Sequence, residues 1–349
     1  MKKIFVLFIT SFLYVSGSIY GQTQNSVPVT FNASFFGNYS YTVQGIEGQD
    51  FNKFDIERMY LTFKSQISEN WKLQATTDIY RNTDAGTYYK GLAVRLKFGF
   101  IDYTPWQSLS IKAGMIPGPW VGTVESFWKY RGVSATASDK FSYLPTADLG
   151  ASVTYSLPDK YGELAGYVYN GDSFSSPETN QYKDYVLRGL LVPFPTSPEL
   201  KNLSLGVCVA FGKSGTAGLT KNRVGGFLGY SYDFVIVGAE YDTKTDGVAN
   251  AADISGNVYS LFTEIKFPIA ELQSKLSLIF RYDSSDPNVN KDNDRNKFFI
   301  AGFVWKPTEK ISFVLDRQVL TSDALTLKTT AGTFVDKDEK WFVHTIVNL

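Results

Sequence analysis

Segments of about ten residues in which apolar and polar side chains alternate recur along the whole chain. A two-residue period sends successive side chains to opposite faces of a strand, so each segment requires an apolar environment on one side and a polar one on the other. Leu149, Ala151, Val153, Tyr155 and Leu157 alternate with Asp148, Gly150, Ser152, Thr154 and Ser156. Leu276, Leu278, Phe280 and Tyr282 alternate with Lys275, Ser277, Ile279, Arg281 and Asp283. No stretch beyond the first 21 residues approaches the roughly 18 apolar residues of a membrane-spanning helix. The expected fold class is therefore all-β: a transmembrane antiparallel β-barrel, apolar toward lipid and polar toward its lumen.

About 16 such segments start near residues 30, 54, 71, 92, 108, 147, 163, 184, 203, 223, 234, 257, 275, 297, 310 and 340. An even count is what a single-chain bacterial barrel requires. Short turns at 68–70, 104–107, 158–162, 232–234, 270–274 and 307–309, with a longer one at 196–202, alternate with polar loops at 81–90, 172–183, 213–222, 244–255, 284–296 and 321–338. Short periplasmic turns and long outer loops produce that rhythm. Trp71, Trp106 and Trp305 sit beside short turns and Trp341 near the start of the last segment, as two aromatic girdles would place them. A soluble β-sandwich or propeller also alternates. Neither calls for this rhythm together with a closing strand at 341–349, where Trp341, Val343, Thr345, Val347 and Leu349 face lipid and Phe342, His344, Ile346 and Asn348 face inward. One residue misfits: Arg317 falls on the apolar face of its segment, which implies a bulge, a snorkelling side chain near an interface or a misphased strand.

Residues 1–21 read as a secretory signal peptide: Lys2 and Lys3, a largely apolar run from Ile4 to Val15, then small residues, with cleavage around 18–21. Residues 22–349 then form one barrel domain. Without Lys2 and Lys3 the 34 basic residues become 32 against 34 acidic ones, so nucleic acid is not an expected partner. The lone Cys208, between Val207 and Val209, permits neither an intrachain disulfide nor a cysteine metal cluster. No cofactor is implied. A catalytic triad would depend on the only histidine, His344, which parity assigns to the barrel wall, so an enzyme is not expected.

The longest connection, 117–146, is aromatic and basic rather than merely polar. Its Trp120, Phe127, Trp128, Tyr130, Phe141 and Tyr143 favour packing against something, and folding into the lumen is the expected outcome. Inward positions of the early strands are rich in cations, Arg58, Lys72, Arg95, Lys97 and Lys112 against Asp78. Later strands carry Asp148, Glu240, Glu264 and Asp316 opposite Arg188, Arg223, Lys266 and Arg281, so parity makes the lumen as a whole mixed. The candidate pore-lining and constriction residues are Arg58, Arg95, Lys97 and Lys112 on the wall and Glu125, Lys129, Arg131 and Lys140 in the long loop.

Three stretches, Phe54-Asp55-Ile56-Glu57-Arg58-Met59-Tyr60-Leu61-Thr62-Phe63, Ile111-Lys112-Ala113-Gly114-Met115-Ile116-Pro117-Gly118, and Ala147-Asp148-Leu149-Gly150-Ala151 leading to Tyr167-Val168-Tyr169-Asn170-Gly171, carry a resemblance. The chain is similar there to the phosphate-selective porin O/P-like family of bacterial outer-membrane porins. That resemblance implies a 16-stranded barrel, a homotrimer, and a third long loop folded into the lumen. The dense arginine ladder of phosphate-binding members is missing from this sequence. The expected function is an outer-membrane porin, a water-filled channel for small hydrophilic solutes or inorganic anions with a mild anion preference, embedded in outer-membrane lipid. The alternative is a non-conducting surface-binding or adhesin-type barrel.

Overall fold

The computed structural model describes residues 27–82, 91–329 and 332–349. The proposed signal peptide and most of the 81–90 loop lie outside those residues. Sixteen strands close into one antiparallel barrel: β1 (Val29–Gln44), β2 (Asn52–Gln66), β3 (Trp71–Asn82), β4 (Gly91–Trp106), β5 (Leu109–Pro117), β6 (Ala147–Ser156), β7 (Gly162–Tyr169), β8 (Asp184–Leu191), β9 (Ser204–Ser214), β10 (Leu219–Tyr232), β11 (Val235–Asp246), β12 (Ile254–Lys266), β13 (Leu276–Asp286), β14 (Asn296–Thr308), β15 (Ile311–Ser322) and β18 (Lys337–Asn348). Two further short strands, β16 (Leu327–Lys328) and β17 (Phe334–Val335), pair only with each other inside the last long loop.

Every expected strand start lies within four residues of an observed one. The ring is sealed by β18 against β1, from Ser34 opposite Asn348 to Tyr41 opposite Trp341, and Leu349 N–H donates to the Ala33 carbonyl at 2.8 Å. The phase of β18 follows the expectation: Trp341 and Val343 are exposed on the outer face, whereas His344 and Ile346 are buried inside. Trp71, Trp106, Trp305 and Trp341 are all exposed, the first stacked on Tyr103 and the third on Phe313. An outer belt of this kind, continued by Val94, Leu187, Val207, Leu261 and Leu315, is what a barrel presents to a bilayer. Among the described residues no helix is long and apolar enough to cross a membrane.

The connections depart from the expected rhythm in two places. Residues 213–222 are not a long loop: Ser214 pairs with Leu219 and Lys213 with Thr220, leaving a four-residue turn in which Gly215 and Gly218 adopt φ of 62° and 66°. Left-handed glycines let polar strands pair almost to the tip, which composition alone reads as loop. The longer short-rim connection expected at 196–202 is present but begins earlier, directly after Leu191 of β8, because Pro193, Pro195 and Pro198 cannot donate to a ladder.

Two β-bulges alter what faces the lumen. On β2, Arg58 pairs with Phe36 and Ile56 with Gly37, so Glu57 is the extra residue. On β4, Phe98 pairs with Thr76 and Leu96 with Thr77, so Lys97 is extra. Each bulge packs one more charged residue into a wall where alternation allows fewer. Arg317 needs no bulge and no misphasing. It faces outward in register, beside Trp341, and its Nε donates to Glu339 Oε1 at 2.8 Å.

Candidate channel constriction

The third long loop enters the barrel. It contains two short helices, Val121–Glu125 and Ala137–Lys140, and packs Trp120, Trp128, Tyr130 and Val133 out of solvent against the inner wall. The wall is carved to receive it. A Cβ at Gly225 would lie 2.7 Å from Trp120 Cε2, and one at Gly229 would lie 2.7 Å from Phe127 Cε2. At contacts this short the facing ring must move if either glycine gains a side chain. Trp128 also meets Phe262 of β12 edge-on at 5.5 Å.

Polar pins complete the docking. Arg281 Nη1 donates to the Ala135 carbonyl at 2.6 Å, Arg223 Nε to the Tyr143 carbonyl at 2.9 Å, Gln318 Nε2 to the Val133 carbonyl at 3.1 Å, and Arg188 Nη1 to Thr123 Oγ1 at 2.9 Å. Loop carbonyls that water would otherwise satisfy are thereby paired to strands β10, β13 and β15, and a loop hydroxyl to β8. Tyr130 donates its hydroxyl to Glu264. Burial first, and the Glu264 charge second, hold that phenol protonated far above its usual range.

This docking removes several acids from the mixed lumen that parity leads one to expect. Glu240, Asp242, Glu264, Asp283 and Asp316 are all buried, at 4% exposure or less, on the side the loop covers. Asp283 holds Arg281 through two hydrogen bonds of 2.8 and 2.7 Å, and Asp148 is buried while accepting from the Leu149, Gly171 and Ser173 amides. His344 Nε2 lies 2.9 Å from Asp316 Oδ2, within ion-pair distance but outside hydrogen-bond directionality. These acids are therefore withdrawn from lumen water, whereas Asp246 at the end of β11 keeps a 41% exposed side chain.

The water-facing cavities gather many of the cations, of which Lys221 pairs with Asp184 at 2.7 Å, Arg223 with Asp246 at 2.6 Å and Arg131 with Glu125. A cavity of about 500 Å³ on the long-loop side is lined by Arg58, Arg95, Lys97, Arg131, Lys221 and Arg223 against three carboxylates, Asp78, Asp139 and Asp172. A second, of about 430 Å³ near the short turns, carries Lys72, Lys112 and Arg188 against Asp102 and Glu163. Asp78 Oδ2 accepts from Arg58 Nη1 at 2.7 Å and from Arg95 Nε at 2.9 Å, so two guanidiniums share one carboxylate. The Arg95 plane is held by the Tyr80 and Phe174 rings, 3.9 and 4.4 Å from their centroids. Lys97 donates to the Tyr60 hydroxyl at 3.0 Å, and Lys112 stands 5.5 Å from the Phe100 ring centroid.

The loop residues divide. Arg131 reaches the lumen but is clamped by Glu125 and, at 2.9 Å, by Asp139, with Tyr60 beyond. Burial alone would lower its pKa; the Glu125, Tyr60 and Asp139 charges raise it, so it stays cationic. Glu125 thus neutralises a loop cation rather than standing free. Lys140 lies over the Phe298 ring at 3.8 Å with its tip open to lumen water. Enclosure by the barrel, then repulsion from Arg281, pushes its ammonium down to about 8. Lys129 is exposed and lines neither cavity. Sequence reasoning overlooked Tyr60, Tyr80, Asp139, Phe174 and Lys221. Tyr60 and Tyr80 carried a usable signal, since each shares an inward face with Arg58 or Asp78; Asp139 and Phe174 lie in loops, where no periodicity marks direction.

No protein-family model matches the chain, and no curated protein matches it. Solved structures do. An anion-selective porin from Comamonas acidovorans superposes with a TM-score of 0.64 at 12% identity, covering 93% of this chain and 100% of the other. OmpF of Salmonella typhi, in complex with daunomycin, gives 0.63 at 14% identity over 93% and 98%. The outer-membrane channel DcaP of Acinetobacter baumannii gives 0.62 at 12% identity over 94% and 99%. At such low identity the likeness speaks to architecture: the chain has the fold of bacterial outer-membrane porins.

Proposed function

We propose that the protein is a porin of a bacterial outer membrane, a water-filled diffusion channel that prefers small anions, phosphate-like ions among them. The carrying observation is the segregation of charge: the third loop covers five acids of the later strands, and on the larger water-facing cavity Arg58, Arg95 and Lys97 gather around the single carboxylate of Asp78, while Arg131, Lys221 and Arg223 are ion-paired with Glu125 and Asp139, Asp184 and Asp246. A narrow lumen in low-dielectric walls focuses the field of such a surplus onto passing ions. Arg58, Arg95, Lys97 and Lys112 act as the wall charges, Arg131 and Lys140 as the loop charges. The solved anion-selective porin among the structural neighbours is consistent with this reading, as is the resemblance to phosphate-selective porins. A homotrimer fits the same reading, since a neighbour was solved in trimer form. No catalytic step is assigned to His344, which is buried behind the loop and lines neither cavity.

The test is single-channel recording in a planar bilayer under a salt gradient. Ohmic steps with a reversal potential of anion-preferring sign are expected. Absence of steps would favour a non-conducting binding barrel, and a cation-preferring potential would refute the anion assignment alone.

A further inference from the structure

Arg317 stands on the lipid-facing wall and has no part in the lumen. Its level can be read from the ladder: Arg317 is opposite Trp341 on one side and Ala301 on the other. One level nearer the long loops, Val319 is flanked by Glu339 and Phe299, and the next level sets Thr321 between Lys337 and Lys297. Charges on a lipid face cost about 2–4 kcal/mol at mid-bilayer and about 0–1 near the interface, so this cluster marks the headgroup level.

The charges do not cancel. Glu339 is the only carboxylate facing outward between Arg317 and Lys337, taking Arg317 on Oε1 and Lys337 on Oε2 at 2.6 Å. Lys297 adds a third cation, 3.4 Å from Asp323 in the loop above. Arg317 Nη1 has no acceptor among the described residues, and the side chain is 44% exposed. Directly below lie Leu315, Phe303 and Val343, exposed and apolar, while the small Ala301 is the neighbour of Arg317 on β14.

We propose that Arg317, Lys337 and Lys297 form a binding site for a phosphate-bearing lipid headgroup at the long-loop rim. The phosphate sits between Arg317 and Lys337 and the acyl chains descend over Ala301. The site rests on the barrel spanning a bilayer and is independent of conduction.

The test is native mass spectrometry of the full barrel released from detergent, after incubation with equal amounts of phosphatidic acid and phosphatidylcholine. Wild type is expected to retain phosphatidic acid preferentially. Each cation near an anionic surface contributes about fivefold, so Arg317→Gln with Lys337→Gln reduces that preference by roughly 25-fold. Glu339→Gln frees both cations and raises retention, and it keeps the proposal falsifiable if the double variant does not fold. Equal retention of the two lipids by wild type, or an unchanged preference in both variants, overturns the proposal. Displacement of phosphatidic acid by an equal concentration of inorganic phosphate overturns the lipid as ligand.

Discussion

Replacing Arg58, Arg95 and Lys97 together by glutamine removes the three cations gathered around Asp78 in the larger cavity and leaves the ion-paired Arg131, Lys221 and Arg223. A unit charge acts on an ion about 8 Å away with about 0.5 kcal/mol in water. Screening at ~0.15 M salt, where the Debye length is about 8 Å, reduces this to about 0.2 kcal/mol. Three cations around one carboxylate are a surplus of two, which favours an anion by about 0.4 kcal/mol and disfavours a cation equally. The difference of about 0.8 kcal/mol is roughly a fourfold anion preference, and the triple variant, with Asp78 left unopposed, should bring it to one or below. Reversal potentials in a planar bilayer measure the ratio directly, and lowering the salt should enlarge it in wild type but not in the variant. Glu240→Gln is the companion experiment. Glu240 is buried on the covered side of the third loop, so its neutralisation should leave selectivity unaltered. A triple variant that keeps its preference, or a Glu240→Gln variant that shifts it, would refute the segregation of charge.

Further outcomes are expected. Trp120→Ala empties the pocket beside Gly225, costs about 3–5 kcal/mol of loop docking, and should yield larger, noisier conductance steps; unchanged steps would mean the loop does not set the bore. Lys140 is cationic below about 8, so raising the pH through that value removes one lumen charge and should lower anion preference by about twofold, an effect absent from Lys140→Met. Neutralising Lys129, Arg131 and Lys140 together should reduce anion preference, with Arg131, the one of the three that lines either cavity, contributing most. Unboiled protein should migrate on a gel as a compact species of trimeric size and shift to the monomer on heating; a monomer before heating would refute the trimer.

The barrel was legible because lipid and water impose a period of two on every strand, and the closing strand shows its phase residue by residue from Trp341 to Asn348. Turns were less legible. The stretch around Gly215 is polar because both faces of an extended hairpin meet water at the rim, and polarity there does not distinguish strand from loop. The bulges at Glu57 and Lys97 left no mark in composition, since a bulge is a property of two paired strands. The candidate lining of Arg58, Arg95 and Lys97 could be placed by parity, and the structure brings these three to one cavity. Parity could not tell a carboxylate in water from one beneath the loop, because that depends on where a non-periodic segment comes to rest. Glu240 and Asp78 look alike in sequence; one is buried beneath the third loop beside Ser138, and the other holds two arginines beside open water.

The glycines at 225 and 229 have a consequence for how such a channel could change size. Because the third loop rests where side chains are absent, its seat is fixed by missing atoms, and the aperture opposite is fixed with it. A single methyl group at either position would lift an indole or a phenyl ring toward the far wall by a bond length or so. The diameter of the passage could then be retuned in small steps from behind the loop, with every ion-contacting residue left as it stands.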